Sequence, residues 1–392
     1  MQNNNCDIVI VGAGMVGATL ASALKQLGYS CLLLDKSQPT FAINSPTPDL
    51  RVSSISLSSV NWLTELGIWQ QLDPSRINAF TQLSMQEKQH ASCHFNASDI
   101  QQQQLGCFVE NQHLQYAALQ QFSEPVRVET ITDINQTADG WVLDTEQQQI
   151  HCQLLIAADG AQSQVRNVLK QPTSGWQYNQ ACYCANIQLT GDSGQHTWQV
   201  FDNHQAQALA FLPLYDNFAT LIIYDQPAKV RQLAQQSNAE QAQYLSQLFS
   251  RYLNDSDFQF LASASFPLQK MTAANLAKDN LVLLGDAAHT IHPLAGQGVN
   301  LGIRDAQLLC QTLSALKGDL SAIHQQNFWR QFQFKRKLDI NSMSYLMDLL
   351  YYSYSSQSPI LKGIRRSLVT GLNQLPLVKS SILKAAIGEF QG

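Results

Sequence analysis

The run Asp7–Val11, DIVIV, is apolar and β-branched and stops at Gly12-Ala13-Gly14-Met15-Val16-Gly17. Val16, Leu20, Ala23, Leu24 and Leu27 then recur at helical spacing, Gly28 supplies a C-terminal stop, and a second apolar run, Cys31–Leu34, ends in Asp35. Strand, glycine turn, helix and strand in this order make a right-handed βαβ unit. Gly12 suits the tight turn, Gly14 leaves room for a pyrophosphate, Gly17 lets helix and strand pack closely, and Asp35 is the acid expected on an adenosine ribose. The pattern sets the class as α/β with a Rossmann-like domain. It does not separate FAD from NAD, and its plain structural reading is a tight strand-to-helix turn.

Two later segments repeat the theme. Leu154–Gly160, LLIAADG, is an apolar strand that delivers Asp159 to a turn, with Ser163 placed to cap a helix carrying Arg166. Leu281–Asn300, LVLLGDAAHTIHPLAGQGVN, runs from a short buried strand through Gly285-Asp286 to Pro293, Gly296, Gln297 and Gly298, followed by helical spacing through Leu301, Leu308, Leu309 and Leu313. A helix that starts behind a glycine loop presents unpaired N–H groups and partial positive charge to an electron-rich ligand.

Between these units the pattern changes. Segments such as Ala181–Leu189, Thr197–Phe201, Leu209–Pro213 and Thr220–Tyr224 alternate as strands, which predicts a second lobe built on an antiparallel sheet, with Phe80–Phe95 joining it. The expected division is a discontinuous dinucleotide domain (1–77, 98–172 and 272–330), a substrate domain of α+β character (78–97 and 173–271), and a C-terminal helical region (331–392). A chain of 392 residues accommodates both lobes. A net charge of −5 argues against a nucleic-acid binder. The N-terminus lacks the basic region of a signal peptide and no run approaches a membrane span, so the expected location is cytoplasmic. The eight cysteines are scattered without metal or redox spacing and read as reduced, mostly buried thiols; no metal site is expected. From Pro359 onward, five basic residues, Lys362, Arg365, Arg366, Lys379 and Lys384, face one acid, Glu389, a net of +4. That asymmetry suits peripheral contact with the inner face of an anionic membrane, and equally a helix with a solvated basic face.

Taken together, the Gly12–Gly17 fingerprint, DGAQSQVR (Asp159–Arg166) and GDAAHTIHPLAGQGVN (Gly285–Asn300) resemble the flavin-dependent aromatic hydroxylases over essentially the whole chain. Val109-Glu110-Asn111, Trp176-Gln177-Tyr178, Trp198-Gln199 and Phe211–Asn217 look like the ubiquinone-biosynthesis branch of that family, which acts on polyprenylated benzoquinols. The resemblance implies bound FAD and a transient nicotinamide donor, NADPH or NADH. Oxygen activated at the flavin C4a carbon would be delivered to an electron-rich ring. It implies Asp35 on the adenosine ribose, Arg51 near the cofactor, Asp159 as a second cofactor contact, Asp286 at the ribityl or phosphate region, and Pro293, Gly296, Gln297, Gly298, Val299 and Asn300 along the isoalloxazine. Many relatives carry arginine where Glu110 and Asn111 fall, a departure that bears on any phosphate contact there.

The expected partners are a polyprenylated quinol and O₂, with membrane or other quinone-biosynthesis proteins as further contacts. Phe211, Leu212 and Pro213 are candidates for the pocket wall or for core. His289, His292 and Pro293 are the candidates nearest the reacting centre, and each histidine reads either as a proton relay or as a buried, hydrogen-bonded side chain. Two other functions stay open: the same chemistry at another ring position or on another phenol, and a flavin- or lipid-binding assembly subunit without turnover.

Overall fold

The computed structural model describes residues 4–87, 92–202, 207–253, 257–294, 296–325, 327–355, 358, 360, 363, 366–367, 370–371 and 373–389. Lys362 and Arg365 of the basic segment lie outside them.

One sheet carries the three acid-ended strands. Its order is Ala277–Lys278, Leu281–Leu283, Gln149–Ala157, Asn5–Val11, Cys31–Asp35 and Arg127–Val128, with the antiparallel pair Ile131–Thr137 and Gly140–Thr145 beside Gln149–Ala157. The central strands are parallel, with Val11 opposite Ala157 and Leu34, and Ala157 opposite Leu283. Their carboxyl ends therefore open at one edge, where parallel α/β sheets bind ligands. The strands are continuous apolar runs because helices cover them: Met15–Gln26 and Gly298–Ser314 pack closely enough that a Cβ on Gly302 would meet Val16 Cγ2 at 2.7 Å.

The second sheet has eight strands, ordered His289–Thr290, Phe258–Ala273, Thr173–Leu189, Phe218–Asp225, Gln207–Pro213, His196–Asp202, Gln82–Glu87 and Ser92–Asn96. It is antiparallel except where Gln82–Glu87 runs parallel to His196–Asp202. Thr173–Leu189 begins eight residues before the apolar pattern suggests, since the first five residues are exposed and carry no alternation. Pro227–Ala234 and Asn238–Phe249 seal one face over Tyr183, Ile187, Trp198, Phe211 and Leu221. The other face looks toward the Pro293–Leu294 loop, which Tyr224 and Gln199 contact.

A buried acid fastens the loop that crosses between the sheets. Glu110, 2% exposed, takes two hydrogen bonds from Arg76 (2.9 and 3.0 Å) and one from Asp49 N (2.7 Å), while Arg76 Nη1 reaches Ser45 O at 2.7 Å. Asn186 adds bonds to Pro48 O and Asp49 O. Glu110, one of the two positions of that departure, is thus the acidic half of an ion pair with Arg76. Glu110→Ala is expected to lower the unfolding free energy by about 2 kcal/mol, less than a fully buried pair because Arg76 keeps some solvent; chemical denaturation measures it.

Candidate functional site

At the first strand end, Gly12 adopts φ +107°, and a Cβ there would strike Ala158 O at 2.4 Å. A Cβ on Gly17 would lie 1.9 Å from Gly12 O, so helix and turn touch through a residue without a side chain. Gly14 is different: nothing lies within 4 Å of its would-be Cβ, and no side chain caps the helix it begins. Open space in front of uncapped N–H groups fits a pyrophosphate. Asp35 accepts from Ala13 N (2.8 Å) and Ser37 N (3.2 Å), which fixes the carboxylate beside that loop with lone pairs to spare.

Asp286, at the third strand end, is exposed to solvent yet ringed by protein, the position of a group on the floor of a recess. Partial desolvation there raises its pKa, against the lowering effect of the His289 and Arg51 charges, while Asp305 raises it further. Arg51, itself exposed, is thereby placed at the same recess. Removing the carboxylate should loosen a bound dinucleotide without unfolding the chain. Asp286→Ala is expected to retain less than a tenth of the flavin per protein after dialysis, and full retention with full activity would refute the role.

Asp159 serves the fold at least in part. Its Oδ2 accepts from Gln164 N (2.7 Å) and Val165 N (3.2 Å), and its Oδ1 is buried without a protein partner. Ser163 caps the following turn through Arg166 N at 3.0 Å. Arg166 then donates to Ala287 O at 2.9 Å, tying the second strand end to the third.

The loop after Pro293 is built from the backbone. Gly296 N donates to Pro293 O, Tyr224 Oη donates to the same oxygen at 3.3 Å, and Gln199 Nε2 to Leu294 O at 3.2 Å. Asn300 is fully buried and its carboxamide is spent on Ser56 N, Ser54 O and Gly296 O. It positions the loop, and its side chain is not available to a ligand. Gln297, Gly298 and Val299 start the Gly298–Ser314 helix, again without a side-chain cap.

Both histidines are buried and hydrogen-bonded. His289 donates to Asp305 Oδ2 at 2.7 Å. That oxygen also accepts Gly285 N at 2.8 Å, and Asp305 Oδ1 takes Arg336 Nε at 2.6 Å. Burial alone would raise the Asp305 pKa, but the His289 and Arg336 charges hold it down to about 2. His292 donates from Nε2 to Gln180 Oε1, stands among the rings of Tyr178, Tyr224 and Tyr351, and leaves Nδ1 buried without a partner. Burial lowers its pKa to about 4, with the Asp348 charge opposing, so it is neutral near pH 7.

Of the three candidates for pocket wall or core, two lie on the helix-covered core face. Successive strand residues alternate faces, and Phe211, stacked on Trp198 at 5.5 Å, lies under the helices with Pro213. Leu212 alone of the three shares a face with Thr220 and Asn186, on the side where Asn186 reaches Pro48 O and Asp49 O. On that face Gln199, Met85, Ile222 and Tyr224 complete the wall above the Pro293 loop. A cleft of about 690 Å³ lined by Lys278, His324, Trp329 and Arg330 lies at the opposite, amino ends of the strands.

The residues missed in the sequence are Asp305, Arg336, Tyr178 and Asp348. Asp305 had a signal: it stands four residues after Leu301 on the apolar stripe of its helix, where an acid requires a buried partner. The partner, 31 residues later, had none.

The chain matches the FAD binding domain family over residues 5–321. It is 35% identical to the 3-demethoxyubiquinol 3-hydroxylase of Escherichia coli (strain K12), over 99% of this chain and 100% of that protein. It is 28% identical to the mitochondrial ubiquinone biosynthesis monooxygenase COQ6 of Drosophila melanogaster, covering 98% and 90%. Among solved structures it resembles p-nitrophenol 4-monooxygenase PnpA from Pseudomonas putida DLL-E4, with TM-score 0.78, 16% identity and coverage of 99% and 100%. It also resembles pqsL, a probable FAD-dependent monooxygenase from Pseudomonas aeruginosa, with TM-score 0.74, 18% identity and coverage of 90% and 97%.

Proposed function

The chain belongs to the FAD binding domain family, and on that premise we propose that it hydroxylates the ring of a polyprenylated benzoquinol, a demethoxyubiquinol, with NADPH or NADH and O₂. It is an FAD-dependent monooxygenase of ubiquinone biosynthesis. The observation that carries the substrate is the full-length likeness to a 3-demethoxyubiquinol 3-hydroxylase.

The residues at the strand ends divide the work. The Gly12–Gly17 turn and the first turn of Met15–Gln26 would hold the pyrophosphate, Asp35 the adenosine ribose, and Asp286 with Arg51 the flavin half of the chain. FAD, reduced by the nicotinamide, supplies the activated oxygen. The uncapped start of Gly298–Ser314 offers N–H groups and a positive helix end to negative charge on the flavin ring. The wall of Leu212, Met85, Ile222 and Tyr224 excludes water and seats the quinol ring. A quinol is already electron-rich, so a neutral His292 that holds the loop is sufficient and no strong base is required. In this reading residues 1–77, 98–172 and 272–330 serve the cofactor, 78–97 and 173–271 the substrate, and 331–392 form a C-terminal helical region. A polyprenyl tail resides in lipid, which makes peripheral membrane contact part of the proposal.

Deleting the gene should cause one quinone to accumulate. Mass spectrometry is expected to find the demethoxyubiquinone. An intermediate lacking a different ring oxygen would move the reaction to another position, and normal ubiquinone with a flavin-site mutant in place would favour an assembly role without turnover.

A further inference from the structure

The helix Arg330–Ser355 has two unlike faces. Phe332, Arg336, Ile340, Met343 and Met347 point inward and are nearly inaccessible. Phe334, Leu338, Tyr345, Leu349 and Tyr352 are 68%, 59%, 68%, 65% and 55% exposed. At about 100° per residue these five fall within a stripe roughly 60° wide on the side opposite the packed one. Five large apolar side chains in one row is far from scattered surface exposure. Trp176 extends the stripe: Lys270 Nζ sits 4.5 Å from its ring and 5.3 Å from that of Tyr345, and the indole is 43% exposed.

The charges around the stripe have one sign. The helix carries two acids, and both are paired: Asp339, a third exposed, with Arg336 and Arg304, and Asp348 with Lys270 and Tyr178. Of its bases, Arg336 is buried in those pairs, whereas Arg330 and Lys335 are exposed and Lys337 half-exposed at the Phe334–Leu338 end. An apolar row flanked by cations, with an aromatic ring at its edge, is the chemistry of a helix lying in the surface of an anionic bilayer. No helix among the described residues is long and apolar enough to cross one. The same helix also reaches the site: Tyr351, next to the outward Tyr352, packs its ring 5.4 Å from that of His292, which precedes the Pro293 loop.

We propose that the outer face of Arg330–Ser355 docks the protein on an anionic phospholipid bilayer, so that a lipid-dissolved substrate enters along this helix. The proposal rests on the quinol reading above for its substrate, though not for its surface. The test is flotation of purified holoprotein with vesicles of phosphatidylethanolamine and phosphatidylglycerol, or of phosphatidylcholine alone. Wild type is expected to float with the anionic vesicles, to float at least tenfold less with the neutral ones, and to be released by salt. Leu338→Glu/Leu349→Glu should lose at least tenfold of the binding while keeping its flavin and its turnover of a short-chain, water-soluble quinol. Lys335→Glu, which leaves the apolar row intact, should lower binding to anionic vesicles. Wild type that stays off vesicles, or a double variant that floats unchanged, would overturn the proposal. So would a wild-type dimer that the double variant converts to monomer without any vesicle binding. Failure of the quinol reading would look different: vesicle binding intact, with no turnover of the short-chain quinol by wild type.

Discussion

Asp305→Ala is expected to lower the unfolding free energy by about 3–5 kcal/mol, because it leaves Arg336 and His289 buried without their counter-charge and Gly285 N without an acceptor. Asp305→Asn, which keeps an acceptor for Gly285 N and His289, should recover part of that loss. The pH dependence follows from the depressed pKa. A carboxyl held at about 2 when folded, against an ordinary value near 4 when unfolded, binds fewer protons in the folded state. Its contribution is complete above about pH 4 and fades as pH falls toward 2. Wild type should therefore lose stability faster than Asp305→Asn across that acid window, and parallel curves would contradict the assigned pairing. Because Gly285 and Asp286 hang from the same carboxylate, both variants should also bind FAD more weakly.

Gly17→Ala and Gly14→Ala should fail in opposite ways. At Gly17 the added carbon lies 1.9 Å from Gly12 O, so helix and strand must separate, and little folded protein is expected. At Gly14 the carbon meets no protein atom, and its extended backbone suits any residue. That variant should fold with stability within about 1 kcal/mol of wild type. FAD affinity should nonetheless fall at least a hundredfold, since the methyl occupies the approach of the pyrophosphate. Titration of apoprotein with FAD measures it, and a Gly14→Ala protein that binds like wild type would show that the space has no ligand.

Local patterns carried the cofactor edge. At Asp159-Gly160 and Gly285-Asp286 a short apolar run, a glycine and an acid adjoin, and the Gly12–Gly17 turn is followed one helix later by the strand that ends in Asp35, so the sequence displays them directly. The fastening of that edge was hidden because it is long-range: Asp305 finds Arg336, Tyr178 finds Asp348, and Glu110 finds Arg76 only after the chain folds. The pocket wall was hidden for a different reason. In Phe211-Leu212-Pro213 every residue is apolar, so nothing in the stretch tells which parity faces the helices. The register to Leu221 and Thr220 settles it by placing Phe211 in the helix-covered core and Leu212 on the opposite face of the sheet. The sequence marks 331–392 only as helical, and which face of Arg330–Ser355 stays outside is fixed by the packing of Phe332, Arg336, Ile340, Met343 and Met347.

The most direct test of the hydroxylase reading is a single turnover mixture of holoprotein, NADPH, a short-chain demethoxyubiquinol and heavy-isotope dioxygen, analysed by mass spectrometry. The expected product is the quinol with one heavy oxygen atom on its ring, formed in step with NADPH oxidation. NADPH oxidation that yields only hydrogen peroxide and unlabelled quinol, from a protein that holds its FAD, would contradict it.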